Sequence, residues 1–289
     1  MTIQDTLFSF VNNWECDENY HLNVQFYFSR FDEADRQFRL MTGFSDSLVG
    51  PRRVRHVRYH RELTLGTLVT VRSSIAFDGP HVITVVHEMH DASRGVLAAT
   101  AIDGYTPGAD SAKALRSRFK DVQQPMSDEA TPRGLSASPA TGRATLDGVL
   151  AAGAGIVYRA TVLPRHLGPD GRADDAFALS CFTDSAPHLW ERTPMTHAWL
   201  SQHGCGRVAV EMKLTWLSPV KVGEPVVVAT GLTGCQNRTF SFRHHMYESR
   251  TARPVAVCDV VGLVMDLSAR KAVDLPAGAR EAISRIKMD

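Results

Sequence analysis

Apolar residues recur at roughly helical spacing from about Leu22 to Leu40, and the pattern becomes strand-like after Gly50-Pro51. A period near 3.6 predicts an amphipathic helix, whereas short apolar runs bounded by turn residues predict strands. We therefore expect a short strand at Ser9–Glu15, then the helix, then strands near residues 53–63, 67–77, 81–90 and 95–105. One helix followed by a run of antiparallel strands is an α+β pattern.

The second half of the sequence repeats the first. If Gly66 is aligned with Gly223, the same offset of 157 residues places His87-Glu88-Met89-His90-Asp91 on His244-His245-Met246-Tyr247-Glu248. Upstream, Phe31 aligns with Phe182 at an offset of 151, so the second copy carries about six extra residues between helix and second strand. The pattern indicates a duplicated supersecondary unit.

Between the copies the composition changes. Residues 112–122 suit a short helix, and Pro125 through Gly142 is rich in Ser, Pro, Thr, Gly and Ala, which is typical of a linker. The predicted organisation is an N-terminal domain at 1–106, a linker at 107–145 and a C-terminal domain at 146–289.

Composition narrows the class of protein. The 289 residues contain 32 Lys and Arg against 31 Asp and Glu, and this balance argues against a nucleic-acid partner. No apolar run approaches the roughly 18 residues of a membrane span, and no secretory signal is apparent. The five cysteines are widely spaced without a C-x-x-C pair, so we expect reduced thiols in a cytoplasmic protein.

Two segments carry a family resemblance. Trp14-Glu15-Cys16-Asp17-Glu18-Asn19-Tyr20-His21-Leu22-Asn23, followed by Tyr27, resembles the D-x-N-x-H-x-N-x-x-x-Y segment of plant acyl-ACP thioesterases. It is more loosely similar to the D-x-x-G-H-x-N-x-x-Y segment of bacterial acyl-CoA thioesterases. Tyr59-His60-Arg61-Glu62-Leu63 resembles the Y-R-R-E-C segment of the plant enzymes. Together with the 4-hydroxybenzoyl-CoA thioesterase-like family, these relatives imply two tandem hotdog domains, each a helix wrapped by a curved antiparallel sheet, packed as a pseudo-dimer.

The resemblance also implies an activity and a site. We expect an acyl thioester, acyl-CoA rather than acyl-ACP, to be hydrolysed by activated water in a groove between the two hotdog halves, without cofactor or metal. Leu63 stands where the plant family has Cys, which excludes a cysteine nucleophile there. The expected catalytic residues are Asp17, Asn19, His21 and Glu62, and the expected substrate-binding residues are Asn23, Tyr27, Arg58 and Arg61.

These residue types suit the chemistry. A helix N-terminus offers unpaired N–H groups that can stabilise an oxyanion, and Asp17 to His21 immediately precede the predicted helix. Glu62 is the favoured general base with Asp17 as its orienting partner, although the two roles are interchangeable at this point. A simpler interpretation of Asp17 and Asn19 is that they cap the helix.

The basic run from Arg52 to Arg61 has two interpretations. It is either a solvated strand face or a docking surface for the phosphates of coenzyme A, since guanidinium forks match phosphate geometry. The histidines His87, His90, His244 and His245 occupy paired strand positions, which explains them better than a metal site does.

The second copy lacks the catalytic groups. Asp17, Asn19 and His21 align with Gly168, Asp170 and Arg172, and Glu62 aligns with Pro219. We therefore expect one working site per chain, with a divergent second site at His166 and Asp170 as the minor alternative.

Two other functions stay open. A hotdog hydratase or dehydratase resembles D-x-N-x-x-H, whereas His21 follows Asp17 by four residues rather than five. A non-catalytic acyl-thioester-binding protein would not need the intact set of acid, amide and imidazole groups. Association of the chains into a homo-oligomer also remains open.

Overall fold

The chain folds into two compact units, Met1–Pro139 and Ala140–Asp289. The structure is a computed structural model that describes residues 4–44 and 46–288. Within these ranges no helix is long and apolar enough to cross a membrane. The boundaries expected from the sequence for the two domains and the linker remain predictions.

The first unit is one long helix packed on a five-stranded antiparallel sheet, with two shorter helices beside them. The strands occur in the order β1-β3-β4-β5-β2 across the sheet. The elements are β1 (Gln4–Phe10), α1 (Val24–Thr42), α2 (Asp46–Val49), β2 (Val54–Tyr59), β3 (Leu68–Ala76), β4 (Ile83–Asp91), β5 (Val96–Tyr105) and α3 (Ala109–Phe119).

The second unit repeats this arrangement. Its strands follow the order β7-β10-β9-β8-β6, in which every pairing corresponds to one in the first unit, and a two-residue strand, β11, pairs with β10. The elements are α4 (Leu146–Ala151), β6 (Gly155–Thr161), α5 (Asp175–Trp190), α6 (His197–His203), β7 (Cys205–Trp216), β8 (Pro225–Cys235), β9 (Thr239–Glu248), β10 (Arg253–Asp266), β11 (Lys271–Ala272) and α7 (Ala279–Ile286).

Helix α1 begins and ends where its sequence dictates. The Asn23 side chain accepts a hydrogen bond from the Gln25 amide at the N-terminus, and Gly43, with φ of 65°, ends the helix in the left-handed conformation. The helix buries an apolar face against the sheet, and each fully buried aromatic side chain such as Phe28 or Phe31 contributes about 1.5–3 kcal/mol. The predicted helix and the four strands after residue 50 are thus confirmed.

The predicted strand at Ser9–Glu15 is wrong. The strand lies earlier, at Gln4–Phe10, and residues Asn13–Glu15 form a 3-10 turn. The reason is local, because the Glu15 carboxylate accepts the backbone N–H of Asn12 at 2.8 Å and closes a capping box that ends the extended backbone.

Residues 107–139 belong to the first unit, and those up to Ala130 pack on its helix and sheet. Leu115 and Phe119 of α3 are buried in an apolar cluster with Phe44 and Tyr105. Farther along, Ala130 packs with Val86 and Ile102, on the face of the sheet opposite α1.

Candidate active site

The Asp17–His21 segment forms a tight turn held by its own acidic side chain. The Asp17 N–H donates to the His21 carbonyl at 2.8 Å. Asp17 Oδ1 accepts the backbone N–H groups of Asn19 at 2.9 Å and of His21 at 3.3 Å. Tyr20 takes the positive φ of 62° that this turn requires. Burial raises the pKa of Asp17, and the two amide hydrogen bonds only partly offset that effect.

The turn brings His21 to Glu62. His21 pairs with Thr64 in an isolated antiparallel bridge, and the Leu22 N–H donates to the Leu63 carbonyl at 2.8 Å. As a result His21 Nε2 lies 3.4 Å from Glu62 Oε2. The His21 side chain is 8% exposed and the Glu62 side chain 27%, and Glu62 Oε1 itself is buried.

The structure therefore brings three of the four predicted catalytic residues together. Asp17 contacts the His21 backbone, and His21 contacts Glu62. Asn19 takes part through its backbone N–H. A carboxylate beside an imidazole, with a second carboxylate fixing the turn, can accept a proton from water and pass it on.

Asn23 and Tyr27 were predicted to bind substrate, and the side-chain oxygen of each makes a hydrogen bond within the fold. The Asn23 oxygen caps α1, as described above, and this cap also occupies the Gln25 amide, one of the N–H groups expected to stabilise an oxyanion. The Tyr27 phenol is buried and its oxygen accepts the Leu63 N–H at 3.2 Å.

The basic run on β2 is divided between the two faces of the strand. Arg58 Nη1 donates to the carbonyl oxygens of Asp128, Glu129 and Thr131 at 2.7, 2.8 and 2.8 Å, and this holds the 128–131 segment on the sheet. Arg61 is exposed and directly precedes Glu62. The basic run is therefore neither a wholly solvated strand face nor a continuous surface for docking phosphates.

Arg55 belongs to a buried ion network. Its guanidinium binds both Asp103 oxygens, with distances of 2.8 and 2.6 Å, and donates to Asp32 Oδ1 at 2.7 Å. Burial opposes ionisation of Asp103, but the attraction of Arg55 and Arg52 outweighs it and holds the pKa of Asp103 well below its usual range. Asp32 has a lowered pKa for the same reasons.

His87 lies against this network. Its Nδ1 is 2.6 Å from Ser73 Oγ, and its Nε2 is 3.2 Å from Asp103 Oδ2. This order of groups suits nucleophilic catalysis, but all three side chains lie beneath α1 and are at most 1% exposed. We interpret them as a buried polar network.

Among the residues that the structure describes, Asp35, His87 and Asp103 are close enough to share a metal ion. The Arg55 fork already occupies both Asp103 oxygens, and Arg39 Nε donates to Asp35 at 2.9 Å. A cation would have to displace these guanidinium groups, so this trio fits an ion network better than a metal centre.

The second unit keeps the backbone hydrogen bonds of the turn but has no carboxylate or imidazole at the positions of Asp17 and His21. The Gly168 N–H donates to the Arg172 carbonyl at 2.8 Å, as Asp17 does to His21, and Gly171 supplies the positive φ that Tyr20 has. The Ala173 N–H donates to the Val220 carbonyl, as Leu22 does to Leu63.

The candidate divergent site in this unit has a structural explanation. His166 Nδ1 accepts the Leu163 N–H at 3.0 Å, the same bond that Glu15 makes to Asn12, and its ring stacks on Phe177. Asp170 is exposed and accepts the Arg172 N–H at 3.1 Å. Both side chains therefore stabilise the loop.

One supporting contact was missed in the sequence. Glu15 binds Arg30 of α1 at 2.8 Å, and this pair fastens the segment before the turn to the helix. The sequence did contain a signal that Glu15 is structural, because Asn12 and Glu15 have the spacing of a capping box.

Comparisons with known proteins agree with this architecture. Residues 165–283 match the family model described as the thioesterase-like superfamily. This part of the chain is therefore similar to the thioesterase-like superfamily. The match falls on the copy without the acid–imidazole pair, and it supports the predicted enzyme class, a thioester hydrolase. No curated protein matches the sequence.

Three solved structures are similar to this chain in fold. The 12:0-ACP thioesterase from Umbellularia californica has a TM-score of 0.63 at 10% identity, covering 90% of this chain and 94% of that one. A putative oleoyl thioesterase from Lactobacillus plantarum has a TM-score of 0.60 at 10% identity, with coverages of 90% and 96%. An acyl-ACP thioesterase from Bacteroides thetaiotaomicron has a TM-score of 0.58 at 9% identity, with coverages of 90% and 98%. At these identities the likeness shows the fold, and the predicted double hotdog is confirmed.

Proposed function

We propose that this chain hydrolyses an acyl thioester at the His21–Glu62 pair of the first unit. The observation that carries the proposal is the 3.4 Å contact between His21 Nε2 and Glu62 Oε2, next to a turn that Asp17 holds. The second unit has Arg172 and Pro219 at the corresponding positions, so we assign one working site to each chain.

Glu62 is the general base in this proposal. Its side chain is partly exposed and its Oε2 lies beside the imidazole, whereas Asp17 Oδ1 is already engaged by two backbone N–H groups. Glu62 takes a proton from water as the water oxygen attacks the thioester carbonyl. The tetrahedral intermediate then expels the thiolate, which takes this proton back from Glu62 as it leaves, giving a free acid and a thiol and restoring the base. His21 orients the Glu62 carboxylate, and Asp17 orients His21 through the backbone.

The test is thiol release from a series of acyl-CoA chain lengths. Glu62→Gln keeps the size and hydrogen-bonding capacity of the side chain, and it should lower kcat by about 10²–10⁴-fold. Glu18→Gln is the matched control, because Glu18 is an exposed carboxylate in the same turn. Equal activity of Glu62→Gln and the unmodified protein would exclude Glu62 as the base.

We further propose acyl-CoA as the substrate, with Arg61 contacting a phosphate. Arg61 is exposed beside Glu62, whereas Arg58 is engaged by backbone carbonyls. Arg61→Gln should raise KM for acyl-CoA and leave KM unchanged for the same acyl group on N-acetylcysteamine, which has no phosphate. Arg53→Gln, another exposed arginine of the run, is the control. A lower KM for acyl-ACP than for acyl-CoA would reverse the choice of carrier.

A further inference from the structure

Leu63, the residue after Glu62, is hydrogen-bonded through both its N–H and its carbonyl group. Its carbonyl accepts the Leu22 N–H at 2.8 Å, and its N–H donates to the Tyr27 phenol at 3.2 Å. Its side chain is 1% exposed. The first bond comes from the residue after His21 and the second comes from helix α1, so both fix the backbone from which Glu62 extends.

Tyr27 is itself rigidly placed. Its side chain is buried on the inner face of α1, and its ring meets that of Tyr59 edge to face, with centroids 5.1 Å apart. Burial raises the pKa of Tyr27 well above its usual range, so the phenol stays neutral over the range in which enzymes work.

The second unit provides an internal comparison. There the Ala173 N–H still donates to the Val220 carbonyl, which preserves the first of the two bonds. Tyr27, however, aligns with Ala178, which has no hydroxyl, and Glu62 aligns with Pro219. The phenol bond thus occurs in the copy that has the acid–imidazole pair and is missing from the copy that lacks it.

We infer that Tyr27 is a positioning residue for Glu62, acting through the Leu63 N–H. The inference rests on the proposed function of Glu62. It reassigns Tyr27 from a substrate contact to a group that holds the base at its distance from His21. A small displacement of a reacting group can cost about 10²-fold in rate, so removing the hydroxyl should affect kcat more than KM.

The first experiment is a double-mutant cycle. Tyr27→Phe should lower kcat by about 10- to 100-fold per folded molecule, with KM changed by less than about threefold. In a Glu62→Gln background the same change should have almost no further effect, because the base it positions is gone. The inference would be overturned if Tyr27→Phe lowered kcat by the same factor in both backgrounds, or if it left kcat unchanged as a single variant.

The control is Tyr247→Phe in the second unit. Tyr247 is also buried, and its hydroxyl also makes one bond to the backbone, donating to the Ala144 carbonyl at 3.0 Å. Tyr247→Phe should lower the free energy of unfolding about as much as Tyr27→Phe does, and it should leave kcat unchanged. A matching loss of kcat in Tyr247→Phe would mean that destabilisation alone accounts for the effect of Tyr27→Phe.

Amide hydrogen exchange separates this inference from the proposed function. In Tyr27→Phe the Leu63 amide should exchange about tenfold faster, while amides in β4 keep their rates. An unchanged Leu63 rate would overturn the inference whatever the activity. A chain that shows this exchange pattern but hydrolyses no acyl thioester would instead refute the proposed function.

Discussion

Replacing Asp103 by valine should destabilise the first unit strongly, because it leaves Arg55 buried without its principal partner. Arg55 is fully buried, and Asp103 accepts two of its hydrogen bonds. The same carboxylate also contacts His87 and Arg52, so one substitution breaks several charged contacts.

The expected magnitude follows from this burial. Breaking a buried pair by removing one partner costs about 3–5 kcal/mol in the free energy of unfolding. For a unit of this size that loss lowers the melting temperature by roughly 10–20 °C. Mutation of a surface ion pair such as Arg238–Asp274, whose side chains are 61% and 75% exposed, should cost less than about 1 kcal/mol.

The second unit shows what can replace the network. At the positions of Asp32, Arg55 and Asp103 it carries Thr183, Met212 and Val260. The strand pairing agrees, because Met212 lies opposite Val260 as Arg55 lies opposite Asp103. A triple variant with these substitutions removes the Arg55 charge together with the charges of both its acidic partners, and such exchanges are often neutral or stabilising. We expect the free energy of unfolding of the triple variant to lie within about 2 kcal/mol of that of the unmodified protein.

The assay must follow the first unit separately, since two units need not unfold together. Hydrogen exchange measured on peptides from β2 and β5, against peptides from β10, reports the free energy of opening for each unit. The single variant should lose protection in the first unit and keep it in the second.

Two results would refute this reasoning. A loss below about 1 kcal/mol in Asp103→Val would mean that Arg55 finds another partner or reaches solvent. A triple variant as unstable as the single variant would mean that the charged network contributes more than its replacement by apolar groups can supply.

Three further predictions follow from the site and from the second unit. Asp17→Asn should reduce kcat by about 10²–10⁴-fold, whereas Asp170→Asn should leave it nearly intact, and the reverse result in parallel assays would place the site in the second unit. Burial lowers the pKa of His244 to about 3, below the unfolded value near 6.5, so the unfolded state binds the proton first and stability falls as pH drops from about 6.5 toward 3. From this group alone the free energy of unfolding, measured with urea, should be about 2 kcal/mol lower at pH 5 than at pH 7, and His244→Gln should reduce the difference between the two pH values by that amount; an unchanged difference would point to other groups. Thioesterase activity should survive exhaustive chelation, and strict dependence on added zinc would contradict the proposed mechanism.

Much of the fold could be predicted from the sequence. The helical spacing from Leu22 to Leu40 and the apolar runs between turn residues after Gly50-Pro51 depend on local geometry, so they predicted α1 and the four strands β2 to β5 closely. The repeat offsets predicted the duplication, and residues at these offsets make corresponding backbone bonds in the two units. The early strand was displaced because a capping box at Asn12 and Glu15 ended it sooner than the apolar pattern indicated.

The candidate site could be predicted in part. The family resemblance selected Asp17, His21 and Glu62, and the structure brings these three together, although their catalytic roles stay a proposal. The sequence could not show that Arg58 would be engaged by a segment 70 residues away, or that Tyr27 would bond to the Leu63 amide.

The sequence by itself determined the class of fold, the duplication and the loss of acid and imidazole groups from the second copy, because periodicity and residue identity are local properties. Only the tertiary structure decided which polar groups remain exposed and which are engaged within the fold. Arg55 and Arg61 look alike in one basic run, yet one is fully buried in an ion network and the other is exposed beside Glu62. The physical reason is desolvation, because the state of a charge depends on which distant segments exclude water from it and supply its partners.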